Sequence, residues 1–214
     1  MIVSAALFSA SLAFAQPPAP SLHTAAARGD MPSLSRALEA NTGIDARDAL
    51  GQTALLLAVE GGHTAAARAL MERGASVNAQ AANRDTPWLL AGALGRTAIL
   101  DSMLAQAPDL SIRNRFGGSA LIPACERAHV ETVELLTTRS KIDVNLVNYP
   151  GWTCLLEIVV LGNGGPRHIE AARLVLAAGA NPNIADREGV SPLAHARRRG
   201  QGEIAALIAA AGGR

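Results

Sequence analysis

The chain has 214 residues, 19 basic against 18 acidic, a formal net charge of +1 and only 3% aromatic side chains. So even a balance creates no field to attract nucleic acid or an anionic membrane surface. Two cysteines are too few for a disulfide framework, and no apolar run approaches membrane-spanning length.

Met1–Ala15 reads MIVSAALFSASLAFA, uncharged and nearly all apolar. Its Ala13-Phe14-Ala15 ending before Gln16 matches the small-x-small cleavage site of a secretory signal peptide. The apolar run of about 13 residues is shorter than the roughly 20 that a bilayer span requires. The expectation is an exported, periplasmic protein cleaved after Ala15. The absence of Lys or Arg near Met1 departs from the signal pattern, and without a working leader the address is cytoplasmic. Residues 16–19 are a Pro-rich linker.

The stretch Gly51–Ala79 shows how the rest is built. Thr53 is a side-chain acceptor ahead of an apolar run, an N-cap signature. Ala54, Leu55, Ala58 and Val59 recur at helical spacing. Gly61-Gly62 breaks that helix, a second run continues through Ala66, Ala69 and Leu70 to Met71, and Gly74 stands where a left-handed cap belongs. Helices this short cannot bury their apolar stripes alone, so the unit requires copies of itself.

The copies follow. Aligned on the cap, the residues are Pro20, Thr53, Thr86, Ser119, Thr153 and Ser191, in steps of 33, 33, 33, 34 and 38. Two positions on stands an apolar anchor: Leu22, Leu55, Trp88, Leu121, Leu155 and Leu193. Eight positions before each cap from the second onward is a small polar residue: Asp45, Asn78, Ser111, Asn145 and Asn183. The longest step holds an insertion, Gly162–Pro166, expected as a mobile loop away from the fingers.

A period near 33 with two helices and a turn resembles the ankyrin repeat family. Thr86-Pro87-Trp88, Ser191-Pro192-Leu193, Gly62-His63, Gly74-Ala75-Ser76-Val77-Asn78 and Gly179-Ala180-Asn181-Pro182-Asn183 carry the resemblance. It implies an all-α solenoid of about six helix-turn-helix repeats with finger-like hairpin loops. Their approximate limits are 20–47, 48–80, 81–113, 114–147, 148–185 and 186–214. The family's first-helix histidine remains only at His23; Leu56, Leu89, Ile122, Leu156 and Ala194 replace it, exchanging hydrogen bonds for apolar packing.

Cys125 falls near the end of the first helix of its repeat, and Cys154 starts the equivalent helix of the next. Stacked helices lie roughly 10 Å apart, and the axial offset adds about 7 Å. A bridge needs Cα atoms within about 7 Å, so buried free thiols are expected.

The chemistry-bearing residues form no recognisable site. The histidines lack a second ligand at zinc spacing, and there is no Cys-x-x-Cys, nucleophile elbow or phosphate cradle. The reading is a non-enzymatic chain without cofactor or metal. The resemblance implies partner contacts at the variable finger positions, which here are Gln52, Asn83, Asp85, Arg115, Phe116, Tyr149, Trp152 and Arg187. Phe116, Tyr149 and Trp152 concentrate rings on two consecutive fingers, beside Arg115, while Trp88 at the leucine anchor reads as core. The rings either meet a partner or pack along their own hairpins. The expected function is a monomeric protein-binding module; the alternative is an accessory protein of an enzyme, with a weak small-molecule or cofactor-related site in the groove.

Overall fold

The computed structural model describes residues 21–40 and 43–214. The expected leader, linker and cap at Pro20 lie outside them. Twelve helices run through the described residues: α1 (Leu22–Arg28), α2 (Met31–Glu39), α3 (Ala54–Gly61), α4 (Thr64–Glu72), α5 (Pro87–Ala93), α6 (Thr97–Leu104), α7 (Leu121–Glu126), α8 (Val130–Arg139), α9 (Cys154–Val160), α10 (Pro166–Ala177), α11 (Pro192–Arg198) and α12 (Gly202–Ala210). Odd-numbered helices stack on one another in one layer and even-numbered helices in a second. The result is a helical solenoid with one continuous core between its layers.

Local chemistry sets the element boundaries. Thr53, Thr86, Thr153 and Ser191 each accept a hydrogen bond from the amide three residues on, capping α3, α5, α9 and α11. Ser21 does the same for α1. Ser119 differs: its hydroxyl takes the Leu121 amide at 3.3 Å, and α7 starts one residue late. In the other repeats the cap carbonyl receives the amide four residues on, as in Leu57 to Thr53 at 3.1 Å. Pro123 occupies that place after Ser119 and has no N–H to give, so the first turn loosens. Gly62 closes α3 at φ 71° and Gly74 follows α4 at φ 86°, both left-handed as the two helix ends require. The third finger lacks its turn glycine, and Arg84 takes the left-handed conformation at φ 68° instead.

Two ladders of hydrogen bonds lock successive repeats. In the first, Asp45 accepts from the Ser76 amide at 2.9 Å, Asn78 from Asp109 at 2.9 Å, Asn145 from Asn181 at 2.7 Å and Asn183 from Arg214 at 2.9 Å. These are the small polar residues that recur eight positions before the caps. The exception is Ser111, whose shorter side chain turns to Asp109 in its own finger. In the second ladder, a polar residue just ahead of a second helix, or in its first turn in the case of His168, bonds a carbonyl at the end of the preceding repeat's first helix. His63 reaches Ala27 at 3.1 Å, Arg96 reaches Glu60 at 3.0 Å, His168 reaches Glu126 at 3.0 Å and Gln201 reaches Val159 at 3.1 Å. The expected trade of hydrogen bonds for apolar packing is therefore half of what happens. Leu56, Leu89, Ile122 and Leu156 are buried, yet the polar link persists at another position.

The expectation of free thiols is corrected: Cys125 and Cys154 form a disulfide with Cα atoms 5.6 Å apart. Helices α7 and α9 are offset along their axes. The end of one lies against the start of the next, so the axial offset brings the cysteines together instead of separating them. The same relation holds one repeat earlier, where a Cβ on Gly92 would come within 2.4 Å of the Ala120 carbonyl oxygen. The insertion 162–166 is also less independent than expected. Gly162 accepts from Arg199 and from Gln201, each at 3.3 Å, which ties the loop to the last repeat.

Candidate protein-binding surface

Each finger is shaped by a side chain that folds back on its own turn. Asp48, Asn114 and Asp186 accept two backbone amides apiece, and Asn148 accepts the Trp152 amide at 2.8 Å. In the third finger Ala81 replaces this residue. Asn83 takes over, accepting the Asp85 amide at 3.0 Å and donating to the Asp85 carboxylate at 3.0 Å. These bonds give successive tips the same turn, so their side chains form a row.

The expected contact residues fall into two groups. Arg115, Phe116, Tyr149, Trp152 and Arg187 come together on the fourth to sixth fingers. Phe116 is 53% exposed and Tyr149 is 55% exposed, and the Arg115 guanidinium lies 4.6 Å from the Phe116 ring centre. The Tyr149 amide donates to the Phe116 carbonyl at 2.8 Å, and Arg187 donates to the Tyr149 carbonyl. The Tyr149 ring also lies on Gly117, where a Cβ would come within 2.6 Å of it. One face of that ring is thus packed on the neighbouring finger and the rest is open. Trp152 is only half-buried. Asp85 continues the row, 3.4 Å from Arg115, and its burial pushes the carboxyl above the usual range despite that arginine. Asn83 stands beside it. Gln52 lies on the second finger, and its backbone amide serves the Asp48 turn at 2.8 Å.

The structure adds residues that the finger positions alone do not reveal. Between the fourth and fifth repeats is a cleft of about 380 Å³ lined by Phe116, Pro123, Glu126, Trp152, Glu157 and Leu161, among others. Glu157 lies on α9 and is 5% exposed. Asn148 donates to its Oε1 at 2.7 Å, while Oε2 has no partner. Burial, with a smaller contribution from nearby Glu126 and against the Asn148 hydrogen bond, pushes its carboxyl up to about 7. The last repeat handles the equivalent positions differently. There His195 lies 2.6 Å from Asp186 and holds that carboxyl below its ordinary range. One sequence signal was available: Glu157 is the only acid four residues after a cap, a place otherwise held by Thr24, Leu57, Leu90, Pro123 and His195.

Glu157 makes stability depend on pH. Its ordinary value is 4.5 and its folded value about 7. Between those limits the native protein keeps a proton that the unfolded chain has released, so stability falls as pH rises through the window. Above it the full cost of a buried anion is present. Glu157→Gln is therefore expected to stabilise by about 2–3 kcal/mol near pH 8 and to be nearly neutral near pH 4.5. Denaturant unfolding at both pH values measures this, and an equal effect at the two would place the carboxylate in water.

Among the described residues no helix is long and apolar enough to cross a membrane, and no group of His, Cys, Asp and Glu could hold a metal ion. The family model for ankyrin repeats matches residues 22–114 and 88–186. The ankyrin repeat protein YahD of Escherichia coli (strain K12) is 38% identical over 188 residues, covering 88% of this chain and 94% of its own. An ankyrin repeat domain from Acinetobacter baumannii AYE superposes with a TM-score of 0.86 at 48% identity, over 90% of this chain and 98% of that one. The ankyrin repeat protein EF0377 gives 0.85 at 36% identity, over 91% and 98%. Domains with this fold bind protein partners and are typically scaffolds without catalysis. The stacked helix pairs, the period near 33 and these matches establish that the chain belongs to the ankyrin repeat family.

Proposed function

We propose that the protein is a non-catalytic binding module that holds a partner protein against the fingers and concave face of its fourth and fifth repeats. The observation that carries this reading is the row of Arg115, Phe116 and Tyr149 beside the cleft, with both rings more than half exposed. Exposed rings gain nothing from burial until a partner covers them, and aromatics with arginine supply most interface hot spots. The turn geometry comes from Asn114, Asn148 and the glycines, so the fold does not itself require those rings.

The proposed place of work is an oxidising, extracytoplasmic compartment, the bacterial periplasm. The Ala-x-Ala leader pattern and the Cys125–Cys154 disulfide support it independently, because disulfides are rare where glutathione keeps thiols reduced. Mass spectrometry of the chain from fractionated cells is expected to find a mature protein starting at Gln16 in the periplasmic fraction. Intact Met1 in the cytosol would overturn that address.

The binding face is tested with immobilised wild type, Tyr149→Ala, Trp152→Ala and a deletion within 162–166, each confirmed as folded. A partner retained by the wild type should lose at least about 1–2 kcal/mol of affinity with either ring variant and bind the loop deletion normally. Neutral ring variants alongside a loop deletion that abolishes binding would move the interface to the other side.

A further inference from the structure

The cleft between the fourth and fifth repeats ends in an acid with one oxygen engaged and the other unused. Asn148 fills Oε1 of Glu157, and no protein donor reaches Oε2. An unpaired buried acceptor is costly; a retained proton relieves that cost below about pH 7, and above it a donor that enters the cleft does so. Glu157 lines the cleft and Oε2 is closed to solvent, so a donor reaches it only by parting the cleft walls.

We infer that this cleft receives a lysine side chain of the partner, its ammonium donating to Glu157 Oε2 and its methylene stem lying between Trp152, Pro123 and Leu161. This rests on the protein-binding reading and specifies the residue that the partner inserts. Three features select the ligand. The first is charge: Glu126 and Glu157 both line the cleft. The two arginines that also line it are already engaged, Arg115 with Asp85 at 3.4 Å and Arg127 with the Ala93 carbonyl at 2.6 Å. The second is the wall: aromatic and apolar side chains suit a long methylene stem with a cationic tip, and ring faces attract the cation. The third is the single open oxygen. A guanidinium is best matched by a two-oxygen fork, and Asn148 already takes one side, whereas an ammonium is satisfied by one strong acceptor. The shielded carboxyl, raised to about 7, agrees with an acid whose counter-ion is supplied from outside.

The test uses the full disulfide-bonded protein and three probes: N-acetyl-lysinamide, N-acetyl-argininamide and N-acetyl-norleucinamide, the last matching the lysine stem without its charge. NMR follows the Glu157 carboxyl carbon and the Trp152 indole. The lysine probe is expected to shift both signals in a saturable manner. Glu157→Gln, confirmed as folded by circular dichroism, is expected to weaken that response by about tenfold or more, the loss of a charged hydrogen bond. The norleucine probe should be without effect on the carboxyl. The proposal is overturned by an equal response to the lysine and norleucine probes, by tighter binding of the arginine probe, or by a response undiminished in Glu157→Gln. It is also overturned by silence up to about 100 mM, the weakest affinity of interest for a fragment. Should the lysine probe fail while the ring variants still lose a partner, the protein-binding reading stands and the lysine anchor falls. Should the probe bind while no partner depends on the rings, the cleft still takes a lysine side chain and the protein-binding reading falls.

Discussion

Trp88→Ala is expected to destabilise the fold by about 3–5 kcal/mol, the usual cost of deleting a large buried ring. Trp88 is the second residue of α5 and only 2% exposed. It stands where every other repeat has leucine, and those leucines are buried too, from Leu22 at 5% to Leu55, Leu121 and Leu155 at 0%. Because α5 packs on both α3 and α7, the cavity would open inside the continuous core, away from the ends of the stack. A stack of nearest-neighbour units transmits such damage, since each repeat is stable only through its contacts with the next. Trp88→Leu restores the residue of the other repeats and should cost less. Urea unfolding of the three proteins measures both effects. A change within about 0.5 kcal/mol for Trp88→Ala would place the ring at the surface.

What the sequence reveals follows from how local each determinant is. Caps and turn glycines act within a few residues, so Thr53, Thr86, Thr153 and Ser191 are readable from spacing and do cap their helices. Burial of Trp88 is readable because the repeat supplies its own control at five other anchors. Ser119 misleads because the decisive residue, Pro123, sits four places later and acts by what its nitrogen lacks. Relations between repeats are harder, since they depend on how one helix shifts along its neighbour in the same layer. That shift decides both the disulfide and the tight contact of Gly92 with Ala120, and no single repeat encodes it. The exposure of Phe116 and Tyr149 is legible, because both stand at positions that vary in a repeat of this kind. Glu157 is legible only as an anomaly in an apolar helix, LeuLeuGluIleVal, and its meaning depends on Asn148 and on the cleft walls around it.

Reduction of the Cys125–Cys154 disulfide is expected to lower stability by about 3–4 kcal/mol. The two cysteines are 29 residues apart. In the chain-entropy description a closed loop of that size restricts the unfolded chain by roughly this amount. Both residues are buried, Cys125 at 0% and Cys154 at 1%, so the bridge joins the core sides of α7 and α9 without occupying any surface. Those helices belong to the two repeats whose fingers carry Phe116, Tyr149 and Trp152 and whose interface forms the Glu157 cleft. The cross-link therefore fixes the spacing of the walls between which a partner's side chain would enter, and it offsets part of the cost of keeping a buried acid there. Alkylation of the folded protein should label neither cysteine before reduction and both after reduction and unfolding. Denaturant curves with and without dithiothreitol should then separate by the stated amount. A Cys125→Ala/Cys154→Ala variant should show no such separation, which distinguishes loss of the bridge from any other effect of the reductant. Two alkylatable thiols in the protein purified from an oxidising compartment, or curves that coincide, would remove the bridge from the picture and return these residues to ordinary core packing.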